Sequence, residues 1–228
     1  MIFYDSLIKK AYFCRQFISK MTNNIFDNNG RQLPVMEHFL SIQGEGYHTG
    51  LASYFIRIGG CDVGCHWCDV KESWDPLRHP LVAVDTIFNQ IPKHIETVVI
   101  TGGEPTLYNL TYLTGKLKEL GKKIHLETSG TGNISGDFDW ICLSPKKNEL
   151  PKPDFYQKAD ELKVIIQNKT DFNFAESQAG LLPNDTCKLF LQPEWSQRDK
   201  MTPLIINYVQ NHPKWYISLQ THKYLNIP

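Results

Sequence analysis

The 228-residue sequence has no excess of either charge, with 24 basic residues against 24 acidic ones. A balanced chain lacks the electrostatic footprint that nucleic-acid backbones require, so no nucleic-acid partner is expected. Long hydrophobic runs are missing too. Thr97-Val98-Val99-Ile100 and Val164-Ile165-Ile166 are of strand length, far short of the roughly 20 residues of a membrane span. Met1 to Lys20 mixes aromatics and lysines without an uninterrupted apolar core, which argues against a secretory signal. There is no internal repeat and no low-complexity tract. Also absent is a second C-x2-C or an H-x3-H pair, the usual complement of a structural zinc site.

What is present is a clustered set of cysteines. Three of the six crowd into eight positions, while Cys14, Cys142 and Cys187 stand alone. Crowding of this kind reads as metal or cluster ligation in a reducing compartment, so a cytoplasmic address is expected. A chain of this size buries roughly 70% of its unfolded surface and needs no disulfide or metal to fold. Residues 1–30 differ from the rest, ending in an Asn- and Gly-rich stretch from Thr22 to Arg31 with Met21 at the junction. They read as an extension that the fold does not need, with 31–228 as one domain.

From Met36 onward, short β-type runs alternate with helical patterns. Strands are expected at Glu37–Ser41, Ser53–Ile58, Thr97–Thr101, Lys123–Glu127, Trp140–Leu143, Glu161–Ile166, Lys188–Leu191 and Trp215–Leu219. Helices are expected at Asn109–Leu120, with Leu110, Leu113, Leu117 and Leu120 on one stripe, at Asp85–Gln90 and at Arg198–Asn211. In the last, Pro203 predicts a late start or a kink. Strand–helix–strand alternation argues for right-handed βαβ units, a parallel sheet, and functional loops at the carboxyl ends of its strands.

The sequence Gly59-Gly60-Cys61-Asp62-Val63-Gly64-Cys65-His66-Trp67-Cys68 follows such a strand with spacing C-x3-C-x2-C. Three thiolates can ligate three irons of a four-iron cluster and leave the fourth open to an external ligand. The glycines let the loop curl so that thiolates and amides converge. Zinc remains an alternative, with Cys142, Cys187 or His66 as the missing fourth ligand. Thr101-Gly102-Gly103-Glu104-Pro105 follows a second strand and leaves backbone groups free to approach a ligand, although an ordinary strand-to-helix turn would look the same.

C-x3-C-x2-C in this setting resembles the radical S-adenosylmethionine (SAM) superfamily. Leu40-Ser41-Ile42-Gln43-Gly44-Glu45-Gly46, Phe55-Ile56-Arg57-Ile58, Glu127-Thr128-Ser129-Gly130-Thr131, Ser144-Pro145-Lys146, Gln192-Pro193 and Gln220-Thr221-His222-Lys223-Tyr224 further resemble the 7-carboxy-7-deazaguanine synthase family. The resemblance spans Met36 to Pro228. It implies a partial α/β barrel, open on one side, in a homodimer. It also implies a [4Fe-4S] cluster on Cys61, Cys65 and Cys68, SAM on its open iron, and a flavodoxin- or ferredoxin-type reductant. The implied reaction is a radical ring contraction of 6-carboxy-5,6,7,8-tetrahydropterin to 7-carboxy-7-deazaguanine with loss of ammonia, on the route to queuosine and related deazapurines.

By the same resemblance Ile42, Gln43, Gly44, Arg57, Thr101 and Pro228 contact substrate, with Arg57 suited to a bidentate pair with a carboxylate. Arg57 also reads as a salt-bridge residue, and Glu45 as either a pterin-edge acceptor or a turn residue. Trp67, Cys68, Asp69, Gly103, Ser144, Pro145, Lys146, Gln192 and Pro193 match SAM-contacting positions. One departure stands out. Many relatives carry Thr after the Cys-Asp pair to help hold Mg2+, and here the residue is Val70, which has no side-chain oxygen for a hard ion. Mg2+ at that position is therefore doubtful. The competing readings are a glycyl-radical activase, which has no reason to share these flanking segments, and a zinc-binding interaction module.

Overall fold

A computed structural model describes residues 29–228. The expectation of a dispensable extension at 1–30 thus lies outside the described residues, apart from Asn29 and Gly30. The strands are β1 (Gln32–Ile42), β2 (Ala52–Ile58), β3 (Leu81–Ala83), β4 (Thr97–Gly102), β5 (Lys123–Thr128), β6 (Trp140–Leu143), β7 (Glu161–Ile166), β8 (Lys188–Pro193) and β9 (Trp215–Ile217). They form one sheet in the order β3-β1-β2-β4-β5-β6-β7-β8-β9. From β2 onward every pairing is parallel, while β1 is antiparallel to both β2 and β3. Among the described residues β3 and β9 are the outer strands of the sheet, so the architecture is an α/β barrel left open, as expected.

The helices are α1 (Asp85–Phe88), α2 (Thr111–Glu119), α3 (Pro153–Lys158), α4 (Asp171–Ala179), α5 (Arg198–Asn211) and α6 (Thr221–Leu225). α1 and α2 are shorter than their patterns predict. α5 starts at Arg198, not late, with Pro203 in its second turn; buried Met201 and Ile205 hold that turn against the core despite the missing N–H. β1 begins five residues before its predicted start, because Pro34 masks a strand whose irregularity at Val35–Glu37 absorbs the missing donor. β9 is two residues shorter than expected, and β3, α3, α4 and α6 carried too little periodicity to be seen.

The pleat sorts side chains to two faces. Ile56, Ile58, Val98, Ile100, Ile124, Leu126, Leu143, Leu162, Val164 and Leu191 join the apolar core. Their strand neighbours Arg57, Thr101, Glu127, Lys163 and Gln192 instead line cavities on the concave side. One alternation therefore builds both the core and the site.

Candidate functional site

The cluster loop leaves β2 and is moored by its neighbours. Gly103 N–H donates to Ile58 O (2.9 Å) and Glu104 N–H to Gly60 O (2.7 Å). Gly102 sits at φ +141°, and a Cβ there would lie 2.0 Å from Ile58 O; one on Gly103 would lie 2.2 Å from Gly60 O. The paired glycines thus exist to let the end of β4 press against the root of the cysteine loop. Downstream the chain folds back, with Gly60 N–H donating to Ser73 O (2.5 Å) and Cys61 N–H to Trp74 O (3.2 Å).

Cys61, Cys65 and Cys68 are free thiols lining one cavity. Burial pushes the Cys61 thiol up to about 12, with the Glu104 carboxylate adding to it. Burial also raises Cys65, against the pull of Lys146. The same cavity is walled by Trp67, Asp69, Gly103, Ser144, Lys146, Gln192 and Pro193. Lys146 donates to Ser144 O and Oγ (2.6 Å each). Pro145 is off this wall, lining a smaller cavity behind the loop with Cys65 and His66. Among the described residues no three His, Cys, Asp or Glu side chains converge on a single ion. Three cysteine thiols on one glycine-curled loop, facing a single cavity, fit a multi-iron cluster with an open iron.

An adjoining cavity is lined by Ile42, Gln43, Gly44, Arg57, Thr101 and Pro228, together with Phe39, Phe55 and His222. Arg57 Nε donates to Glu37 Oε1 on the partner strand (2.7 Å), so the ion-pair reading is realised through Nε while the residue still lines the cavity. Glu45, Cys68, Asp69, Thr101, Gly102, Glu127 and Gln220 line both cavities and mark where two ligands would meet. Val70 also lines the second cavity, with its neighbour Asp69 already accepting from Lys223 Nζ (2.6 Å) and Gln220 Nε2 (3.2 Å). These residues do not fit a Mg2+ site of the kind the Thr-bearing relatives imply.

Sequence reasoning missed the ionic floor beneath the cavities. Lys163 is buried and donates to Glu45 Oε2 (2.6 Å) and Glu127 Oε2 (2.9 Å); Gln43 Nε2 donates to Glu127 Oε1 (3.2 Å). Burial acts to raise Glu45, but the Lys163 ammonium overrides it and holds the carboxyl at about 2. Below them Glu161, raised by burial to about 7, accepts from Tyr47 N–H and Trp140 Nε1. A signal existed: Glu127 shares its strand phase with Lys123 and His125, and Lys163 with Glu161, so one face of β5 and β7 is charged while Ile124, Leu126, Leu162 and Val164 mark the apolar face. In the sequence Glu104 stands out only as part of Thr101–Pro105. Its carboxylate is fully buried and accepts from Thr106 N and Oγ1, Thr128 Oγ1, and Ser129 N and Oγ, so it ties the β4 loop to the end of β5.

Comparison with known proteins places this geometry. Residues 55–135 match the Radical SAM superfamily model. The 7-carboxy-7-deazaguanine synthase of Flavobacterium psychrophilum is 59% identical over 199 residues, covering 87% of this chain and 94% of its own. That of Synechocystis sp. is 46% identical, covering 85% and 93%. The crystal structure of QueE from Escherichia coli superposes with a TM-score of 0.77 at 30% identity, over 88% of this chain and 99% of that one. The chain belongs to the 7-carboxy-7-deazaguanine synthase family of the radical SAM superfamily.

Proposed function

We infer that the chain is a 7-carboxy-7-deazaguanine synthase, a radical SAM lyase converting 6-carboxy-5,6,7,8-tetrahydropterin to 7-carboxy-7-deazaguanine and ammonia. The observation that carries this reading is the pair of adjoining cavities: one walled by the three cysteines, the other by Gln43, Arg57 and Thr101, with a shared border. When bound, the cluster and SAM supply the electron and the adenosyl radical that removes a substrate hydrogen. Cys61, Cys65 and Cys68 would hold the cluster. Trp67, Asp69, Gly103, Ser144, Lys146, Gln192 and Pro193 would hold SAM, with Pro145 shaping the loop behind.

The chain's own groups then bind, orient and exclude water. Arg57 faces the substrate carboxylate with the part of its guanidinium that Glu37 leaves open. Ile42, Gln43, Gly44 and Pro228 border the ring system. Glu45, kept ionised by Lys163, and Glu127, held by the same ammonium, offer acceptors to donor groups of the ring or the departing amine. The machinery is carried by residues 31–228, works as a homodimer, and takes its electron from a flavodoxin- or ferredoxin-type protein.

Anaerobic incubation with the tetrahydropterin, SAM and a reductant tests the reading. The expected product has the substrate mass less one ammonia, with SAM not consumed; consumption of SAM with unchanged pterin overturns it. Mg2+ is expected to stimulate this enzyme less than a Thr-bearing relative. Equal, strong stimulation of the native protein and of Val70→Thr would sink that expectation.

A further inference from the structure

Among the described residues, two buried side-chain polar atoms lack a hydrogen-bond partner, and one of them is the indole Nε1 of Trp74. Buried donors are nearly always paired, because an unmade bond costs about 1–3 kcal/mol. Trp74 also lines the cavity that the three cysteines wall. Its place is fixed by its own backbone, whose carbonyl accepts from Cys61 N–H, so the indole is carried on a segment hydrogen-bonded to the first cysteine. The 3-10 turn Lys71–Trp74 is closed by Ser73, which donates to Val70 O through both N–H (3.1 Å) and Oγ (2.7 Å). Lys71 Nζ lies 5.9 Å from the indole centroid, and a cation over the ring makes its N–H a stronger donor.

A donor left unpaired beside a cavity of thiols calls for an acceptor that the ligand brings. We propose that Trp74 Nε1–H donates a hydrogen bond to a sulfur of the bound cluster, a bridging sulfide or the Cys61 thiolate, and so sets how readily the cluster takes its electron. This rests on the reading of the cysteine loop as a cluster site. Hydrogen bonds to cluster sulfurs stabilise the more negative, reduced state and raise the reduction potential. Trp74 acts through the cluster and is a positioning and tuning residue.

The test uses the full-length protein, anaerobically reconstituted. Enzyme labelled with 15N in the indole should show a 15N hyperfine coupling in pulsed EPR of the reduced cluster, lost in Trp74→Phe. In the same variant, EPR-monitored redox titration should show a three- to tenfold lower reduced-to-oxidised ratio at fixed potential, tenfold being about 59 mV for one electron. Absence of any 15N coupling in the labelled native protein overturns the proposal, even if the variant folds poorly. Trp67 walls the same cavity, so a coupling that persists in Trp74→Phe overturns it too, as does an unchanged midpoint in that variant. Failure to assemble any cluster would instead defeat the underlying site reading, and iron content separates the two.

Discussion

Glu104 shows how much one side chain can organise here. Among the described residues its two oxygens meet five donors from Thr106, Thr128 and Ser129 and form no ion pair. Glu104→Gln would turn an –NH2 toward groups that can only donate or already do. We expect a loss of about 3 kcal/mol in urea unfolding of the apoprotein. A change below about 0.5 kcal/mol would show that the ring of donors is dispensable. Glu161 provides a pH test. Its folded pKa, about 7, lies above the ordinary carboxyl value of 4.5. The native state therefore binds the proton more tightly, and this group's stabilisation is full below pH 4.5 and lost as pH rises through 7. His125, held by burial at about 4, works the other way, costing stability as pH falls below 6.5. The contribution of Glu161 is thus isolated by difference: native minus Glu161→Gln thermal stability should decline between pH 4.5 and 7. A flat difference contradicts the assignment.

At the level of elements, the site is an assembly of strand ends tied to one another. α6 is the clearest case. Thr221 donates to Gly44 O through N–H (2.8 Å) and Oγ1 (2.9 Å), and a Cβ on Gly44 would fall 2.2 Å from His222 Nδ1. Lys223 reaches both Asp69 and the face of Trp195. The helix therefore straps the β1 loop to the cluster loop. Thr221→Val should raise KM for the pterin several-fold with little change in kcat, as steady-state kinetics would show; an equal fall in kcat and kcat/KM would place Thr221 in the chemistry. Glycines divide in the same way. Gly102→Ala drives a Cβ into Ile58 O and should abolish cluster incorporation, read as iron per chain. Gly115→Ala, where a Cβ meets nothing within 4 Å, should stabilise α2 by about 0.5–1 kcal/mol in thermal unfolding.

Across the whole molecule, legibility followed the kind of physics that fixes each part. Strands such as Trp140–Leu143 and Glu161–Ile166 coincide with their predicted bounds, because a short run buried on both faces is written locally. The cysteine loop was legible because metal ligands need specific residue types at specific spacings. α4 was not, because its apolar periodicity is weak although it packs on the preceding β7, and α6 was not, since its partners Gly44 and Asp69 lie far away in sequence. The Lys163–Glu45–Glu127 floor escaped for the same reason, joining residues from the β1 loop, β5 and β7. Trp74 was silent in the sequence and gains meaning only from an unpaired donor in the folded chain. The predicted substrate and SAM positions fall on two adjoining walls, except Pro145, which shapes the loop from behind.

The central claim is that Cys61, Cys65 and Cys68 hold a cluster with one iron left for SAM. EPR of the anaerobically reconstituted, dithionite-reduced protein, recorded before and after SAM is added, tests it most directly. The account predicts about four irons per chain, a reduced-cluster signal that changes on adding SAM, and loss of that signal in Cys65→Ala. One colourless zinc per chain, or a cluster signal indifferent to SAM, would contradict it.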